Sequence, residues 1–131
     1  MSTNYLLDAN AVIALVIAEH EHHERVTAWI TQVDKVALCP ITEGAMVRYL
    51  IRVGEAAATA SQLLKAMRES PKVDFWPDSI SHTDAALEHV TGHRQVTDAY
   101  LASLAASHQA RLATLDVALA TELSRNVDLI P

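Results

Sequence analysis

Four carboxylates stand at the openings of segments that read as helices: Asp8, Glu43, Asp98 and Asp116. Glu43 shares a helical face with Met46, Val47 and Leu50, Asp98 with Leu101, Ala102 and Ala105, and Asp116 with Leu119, Ala120 and Leu123. Each of these three therefore heads the stripe its helix turns toward the core. An acid favoured only by the helix dipole has no reason to choose that side. Asp8 lies between the apolar run Tyr5-Leu6-Leu7 and the apolar stretch Ala11 to Ala18. A carboxylate between two buried elements is costly to desolvate unless a cation meets it. Two readings are open for it: a helix cap, or a metal ligand at the carboxyl end of a strand, where open α/β sheets place their sites.

If the fold gathers the four acids, two of them ~4 Å apart at an effective dielectric near 20 repel by about 4 kcal/mol. Such a group needs a counter-charge to stay ionised. Mg²⁺ or Mn²⁺, with oxygen ligands and retained waters, suits carboxylates better than Zn²⁺, which favours His and Cys. The chain shows no serine-histidine-acid arrangement, no glycine-rich phosphate loop and no pair of cysteines. An all-carboxylate pocket then points to metal-assisted phosphodiester hydrolysis. The competing expectation is that all four acids simply begin their own helices.

The elements that must position these acids alternate along the chain. Tyr5 to Leu7, Val36 to Cys39, Val73 to Trp76, Leu112 to Leu115 and Val127 to Ile130 read as short strands. Between them fall a helix over Ala11 to Ala18, a second amphipathic helix through Val26, Trp29, Ile30 and Val33, and a third opening at Ile41 or Thr42 and ending at Gly54. A return helix runs from Glu55 to Glu69, a short one from Ser81 or Thr83 to Val90, a longer one from Thr97 to His108, and a last one from Asp116 to Leu123. Strands joined by crossovers of this length predict one three-layer α/β/α domain over residues 1–131, with a mostly parallel sheet of five strands covered on both faces. The hairpin over residues 42–70 is a candidate clip for substrate or partner.

Composition narrows the function classes. A net charge of −6 argues against a general nucleic-acid-binding surface. Between Arg48 and Lys72, however, five basic residues (Arg48, Arg52, Lys65, Arg68, Lys72) face two acidic ones, a local +3 that leaves −9 for the rest. That segment is either a solvated hairpin or the wall of a site for a polyanion, with Arg48, Arg52, Lys65 and Arg68 as candidate phosphate contacts. The run Glu19-His20-Glu21-His22-His23-Glu24 is expected to be a polar first helical turn in solvent rather than a metal site. Cys39, the only cysteine, reads as a buried strand residue, not a nucleophile. No apolar run approaches the ~20 residues of a membrane span. Met1-Ser2-Thr3-Asn4 carries no signal-like segment, so the cytoplasm is the expected compartment.

Leu6-Leu7-Asp8-Ala9-Asn10, Thr42-Glu43, Val96-Thr97-Asp98-Ala99-Tyr100-Leu101-Ala102 and Leu112-Ala113-Thr114-Leu115-Asp116 resemble the ordered acidic motifs of the PIN-domain ribonucleases. In length and layout the chain is similar to the VapC toxins of type II toxin–antitoxin modules. The resemblance spans essentially the whole sequence and implies a PIN-like fold and a Mg²⁺- or Mn²⁺-dependent endoribonuclease. It further implies an RNA substrate, a VapB-type antitoxin as inhibitor and a homodimer. By the same resemblance Asp8 and Asp98 are the principal metal ligands, Glu43 and Asp116 complete the acidic site, and Asn10 and Thr97 are its supporting polar residues. Where many of the family carry another acid after the fourth motif, this chain has Val117-Ala118-Leu119-Ala120, with Glu122 further along, so a single metal is the expectation. Two other Mg²⁺-using classes fit less well. A receiver-like signalling module needs an adjacent acidic pair early in the chain, and a small phosphatase of the haloacid-dehalogenase type needs an acid where Asn10 stands.

Overall fold

Leu6 and Leu7 are both fully buried, yet they belong to different cores. Alternate residues of a strand point to opposite faces of a sheet, so a strand with two such neighbours is covered on both sides. The computed structural model describes residues 4–131, and Met1-Ser2-Thr3 lie outside them. Five strands, β1 (Asn4–Leu7), β2 (Lys35–Leu38), β3 (Val73–Phe75), β4 (Arg111–Thr114) and β5 (Val127–Leu129), form one sheet in the order β3-β2-β1-β4-β5. All four pairings are parallel, with Leu6 opposite Ala37 on one side and Leu112 on the other.

One face carries α1 (Ala9–Val16), α2 (His23–Ile30), α3 (Pro40–Arg52) and α4 (Ala57–Glu69), whose Val12, Val26, Trp29, Met46, Leu50 and Ala60 pack with Leu7, Val36, Leu38 and Ala113. The other carries α5 (Val96–Ser107) and α6 (Val117–Glu122), whose Tyr100, Leu101, Leu104 and Leu119 pack with Leu6, Ala37, Leu112 and Val127. The expected three-layer α/β/α architecture is thus present, built on a wholly parallel sheet. Near the amino ends of β1 and β4, the Tyr5 hydroxyl donates to Asp128 Oδ2 at 2.8 Å and Arg111 pairs with Asp128 Oδ1 at 2.8 Å. These contacts tie the central strands to the edge strand β5.

Most element ends fall within a residue or two of their sequence-based positions, and three differences have physical causes. Helix α3 opens at Pro40, not at Ile41 or Thr42, because proline fits the first helical position. The Thr42 hydroxyl accepts from the Cys39 backbone N–H at 3.2 Å and closes the start of the helix. Cys39 is wholly buried there and burial pushes its thiol pKa up, as befits a packed residue. The expected helix from Ser81 to Val90 is only a 3-10 turn over His82–Asp84 followed by irregular chain. Short local bonds such as Asp84 N–H to Ser81 O at 2.9 Å hold the turn, and α5 takes two backbone groups in and beside it: Tyr100 OH donates to Ile80 O at 2.8 Å, and Ala86 N donates to Ser103 Oγ at 3.0 Å. Finally, α2 begins at His23, so Glu19 to His22 form a turn rather than the first turn of a helix.

Leu112 sits in the second core with no exposed surface, between β1 and β5. Leu112→Ala should lower stability by about 2–5 kcal/mol through lost burial and a residual cavity. In urea denaturation the midpoint should fall with the slope unchanged; an unshifted midpoint would mean that the two-sided core is not packed as described.

Candidate active site

The sheet changes direction between β1 and β4: from β1 the chain builds outward through β2 and β3, then returns to the other side of β1 with β4. Ligands of open α/β sheets bind outside the carboxyl ends of strands at such a point. Asp8 follows β1 and Asp116 follows β4 by two residues, so the topology alone sets them side by side. The Asp8 backbone N–H donates to Ala113 O at 3.1 Å, extending the ladder to the acid itself. Asp98 arrives from the first turn of α5.

Asp8 is only 5% exposed. Its Oδ1 accepts the Ala11 N–H at 2.8 Å, which caps α1, and its Oδ2 accepts the Thr114 hydroxyl. Thr114 is itself fully buried, and its Oγ1 accepts the Asp116 N–H at 3.0 Å. One hydroxyl therefore joins the first and fourth acidic motifs. Asp116 caps α6 through Oδ1, which accepts the Leu119 N–H at 3.2 Å. Asp8 and Asp116 each cap the start of their own helix, and the shared Thr114 hydroxyl also brings the two together.

Burial dominates the electrostatics. It raises the Asp8 carboxyl to about 6, the bonds from Thr114 and Ala11 oppose the shift, and the charges of Asp98 and Asp116 add to it. Asp98 is raised by burial and then by Asp116. Asp8, Asp98 and Asp116 thus form one repelling group. Among the described residues no Lys, Arg or His makes an ion pair with any of them. Glu43 is also raised by burial, but the charge that acts on it is that of Arg68, which lowers it. Arg68 itself lies over the Phe75 ring at 4.6 Å.

The donor chemistry fits a hard divalent cation: hydrogen-bonded carboxylates in excess, with nothing positive to balance them. As the side chains stand, no three His, Cys, Asp or Glu among the described residues are close enough to enclose an ion.

Two clefts open beside the acids. A smaller one of about 340 Å³ is lined by Asn10, His20, Glu21, His22, Leu115 and Asp116. A larger groove of about 640 Å³ runs between α1 and α3, with Arg48, Arg52, Tyr49 and Ile51 on one wall and Asn10, Ile13 and His20 on the other. Of the four basic residues singled out, Arg48 and Arg52 line this groove, with Arg52 lying over the Tyr49 ring at 5.5 Å. Lys65 and Arg68 sit on α4 and do not line it. Asn10 is exposed and borders both clefts, and Thr97 is exposed in the first turn of α5. Glu122 accepts from Gln95 Nε2 at 3.1 Å. Two residues escaped the sequence reading. Thr114 could have been found as the polar member of the strand ending Leu112-Ala113-Thr114; His20 is half-buried between the clefts, not dispersed in solvent.

The PIN domain family pattern matches residues 5–121 of this chain. Ribonuclease VapC29 of Mycobacterium tuberculosis is 50% identical over 116 residues, covering 88% of this chain and 87% of the relative. Among solved structures, Mycobacterium tuberculosis VapC20, a Sarcin-Ricin loop cleaving toxin, superposes with a TM-score of 0.70 at 16% identity, covering 91% of this chain and 95% of that one. VapBC2 from Rickettsia felis, bound to a DNA fragment from its promoter, gives 0.66 at 14% identity over 98% and 100%. At these identities the two structures speak for the fold.

The raised Asp8 carboxyl makes a prediction about the metal-free protein. A carboxyl that titrates near 6 when folded and near 3.8 when unfolded costs stability in its charged form. The cost is complete above the folded value, amounts to about 3 kcal/mol, and is relieved as pH falls from about 6 toward about 4. Asp8→Asn keeps an oxygen for the Ala11 N–H and removes the charge. With chelator present it should melt higher than the parent at neutral pH, with the gap closing near pH 4. A variant that melts lower than the parent at neutral pH would refute the unbalanced charge.

Proposed function

The chain belongs to the PIN-domain family, and from that membership we propose that it is a metal-dependent endoribonuclease, the toxin of a VapBC-type toxin–antitoxin module. The observation that carries this reading is the group formed by Asp8, Asp98 and Asp116, mutually repelling and without a cationic partner, beside a groove lined by two arginines. Receiver-like signalling and small-phosphatase chemistry are set aside with the family assignment.

The residues divide the work. Asp8 is held by the Thr114 hydroxyl and the Ala11 N–H, so its orientation is fixed before any ligand arrives. Asp8 and Asp98 are the principal holders of a Mg²⁺ or Mn²⁺ ion, with Asp116 and Glu43 completing the acidic site and Asn10 and Thr97 as polar support. When bound, the cation supplies a nucleophilic water at neutral pH and offsets the charge of the phosphorus-centred transition state. Arg48 and Arg52 hold phosphates of the RNA on one side of the cut, in the groove that meets the acidic cleft at Asn10. Helix α3, the first arm of the hairpin, forms one wall of that groove, and the hairpin acts as the clip on the strand.

No helix among the described residues is long and apolar enough to cross a membrane, and the module acts on RNA in the cytoplasm. Its partner is a VapB-type antitoxin, which inhibits by placing a basic side chain among the acids, where the charge balance calls for one. The toxin works as a homodimer.

Two measurements test the reading. Incubation of total bacterial RNA with Mg²⁺ or Mn²⁺ should give discrete cleavage, which Asp8→Asn and Asp98→Asn should each reduce by more than about a hundredfold. Undiminished cleavage by both variants would reject the site. Binding measured in the Asp98→Asn background should weaken on Arg48→Ala and on Arg52→Ala. Each change should flatten the plot of log affinity against log salt by about 0.7, the contribution of one phosphate contact on a single strand; an unchanged slope would remove that arginine from the RNA path.

A further inference from the structure

Among the described residues, Asn10 and His20 alone border both the basic groove and the acidic cleft, the one that Asp116 lines. If RNA held in the groove is cut at the acid group to which Asp116 belongs, a strand joining the groove to the cleft that Asp116 lines passes beside Asn10 and His20. His20 is built for a fixed contact. Its own N–H donates to Ile17 O at 3.0 Å and its carbonyl accepts from His23 N at 3.0 Å. The His23 ring Nδ1 reaches Ala14 O at 2.9 Å, which pins the turn to the end of α1. Within that turn, the His22 backbone N–H donates to His20 Nδ1 at 3.0 Å. With Nδ1 accepting, the ring's N–H donor is Nε2. That Nε2 has no partner among the described residues. The neighbouring Glu21 carboxylate is turned to His22 Nε2 at 3.4 Å, so it does not claim the His20 donor.

We propose that His20 contacts the RNA strand where it crosses from the Arg48/Arg52 groove to the acidic cleft, donating Nε2–H to a backbone phosphate oxygen next to the cut. This rests on the ribonuclease reading and adds to it a substrate contact from the α1–α2 turn. The contact orients the strand and, because it goes to phosphate, carries no sequence information. It also gives the histidine run a function: His22 and His23 fix the turn, and His20 alone addresses the substrate.

Two substitutions separate this contact from a structural role. In His20→Asn, the side-chain oxygen can still accept the His22 N–H and preserve the turn, but nothing reaches the Nε2 position. In His20→Gln, an amide N–H returns to that position. Each is made in the Asp98→Asn background, so that bound RNA stays intact. Affinity is read from fluorescence anisotropy of fluorescein-labelled oligo(U) and oligo(A) ribonucleotides, and folding from the melting temperature. His20→Asn should bind both oligonucleotides about tenfold more weakly, the scale of one hydrogen bond to a charged group, with an unshifted melting temperature and salt slope. His20→Gln should recover most of the loss. Asn binding as tightly as His, or a loss confined to one of the two oligonucleotides, would overturn the phosphate contact. If the parent with His20 intact binds neither oligonucleotide, the ribonuclease reading fails and the contact with it.

Discussion

A carboxylate with almost no exposed surface and no cation beside it is the constraint from which the rest of this structure is best understood. Asp8 retains two hydrogen bonds, from a backbone N–H and a buried hydroxyl, and these offset only part of what burial costs. Two more carboxylates act on it from β4's end and from α5. A fold that only needed a helix cap at this position could have used Ser or Asn, without the penalty of a buried charge. The cost is intelligible when a cation is part of the working state, because a ligand that binds only the folded form returns that free energy by mass action.

The sheet order makes the convergence unavoidable. With β1 central and β4 laid beside it, two strands far apart in sequence end next to each other, and each ends at an acid or two residues short of one. The parallel arrangement puts the starts of α1, α3 and α6, which directly follow β1, β2 and β4, at the same edge of the sheet. Acids in first turns are therefore collected on one rim, while the basic contacts of Arg111 lie toward the opposite end, where they fasten β4 to β5. Two fully apolar faces are needed to bury such a sheet, and Leu6 and Leu7 supply one side chain to each.

Much of this could be read from the sequence because the signals were local and repeated. Each strand is short, apolar and closed by a proline, a polar residue or an acid, and each crossover carries a helical stripe, so the three layers followed from periodicity. The position of the acids on the apolar sides of their helices pointed to convergence, and Asp8, Asp98 and Asp116 do share one electrostatic group. What stayed hidden was set by long-range partners. The segment after Ile80 has helix-like residues, yet Tyr100 and Ser103 on α5 bond to the backbone at Ile80 and Ala86. Glu43 matched the helical register of the other acids, but the register does not reveal that Arg68, from the next helix, is the charge it meets. The histidine run read as solvated because composition cannot show a turn folded back onto α1.

The distribution of charge explains how an acidic protein can be directed at a polyanion. At physiological ionic strength, exposed charges are screened beyond about 8 Å, so a phosphate entering the groove responds to Arg48 and Arg52 and little to the −6 of the whole chain. The acids are tucked at the strand ends, with Asp8 beneath the surface, where their repulsion acts chiefly on each other. Bare, the pocket would turn a phosphodiester away. On the proposed function, a divalent ion held there would offset two of those charges and lower that barrier. On that reading, substrate access would depend on the cation, and by the same logic a basic side chain from another protein could compete for the pocket. On the proposed function, negative charge at the centre and positive charge on the adjoining wall are two parts of one device: the first would recruit the ion, and the second would hold the strand that the ion is to act upon.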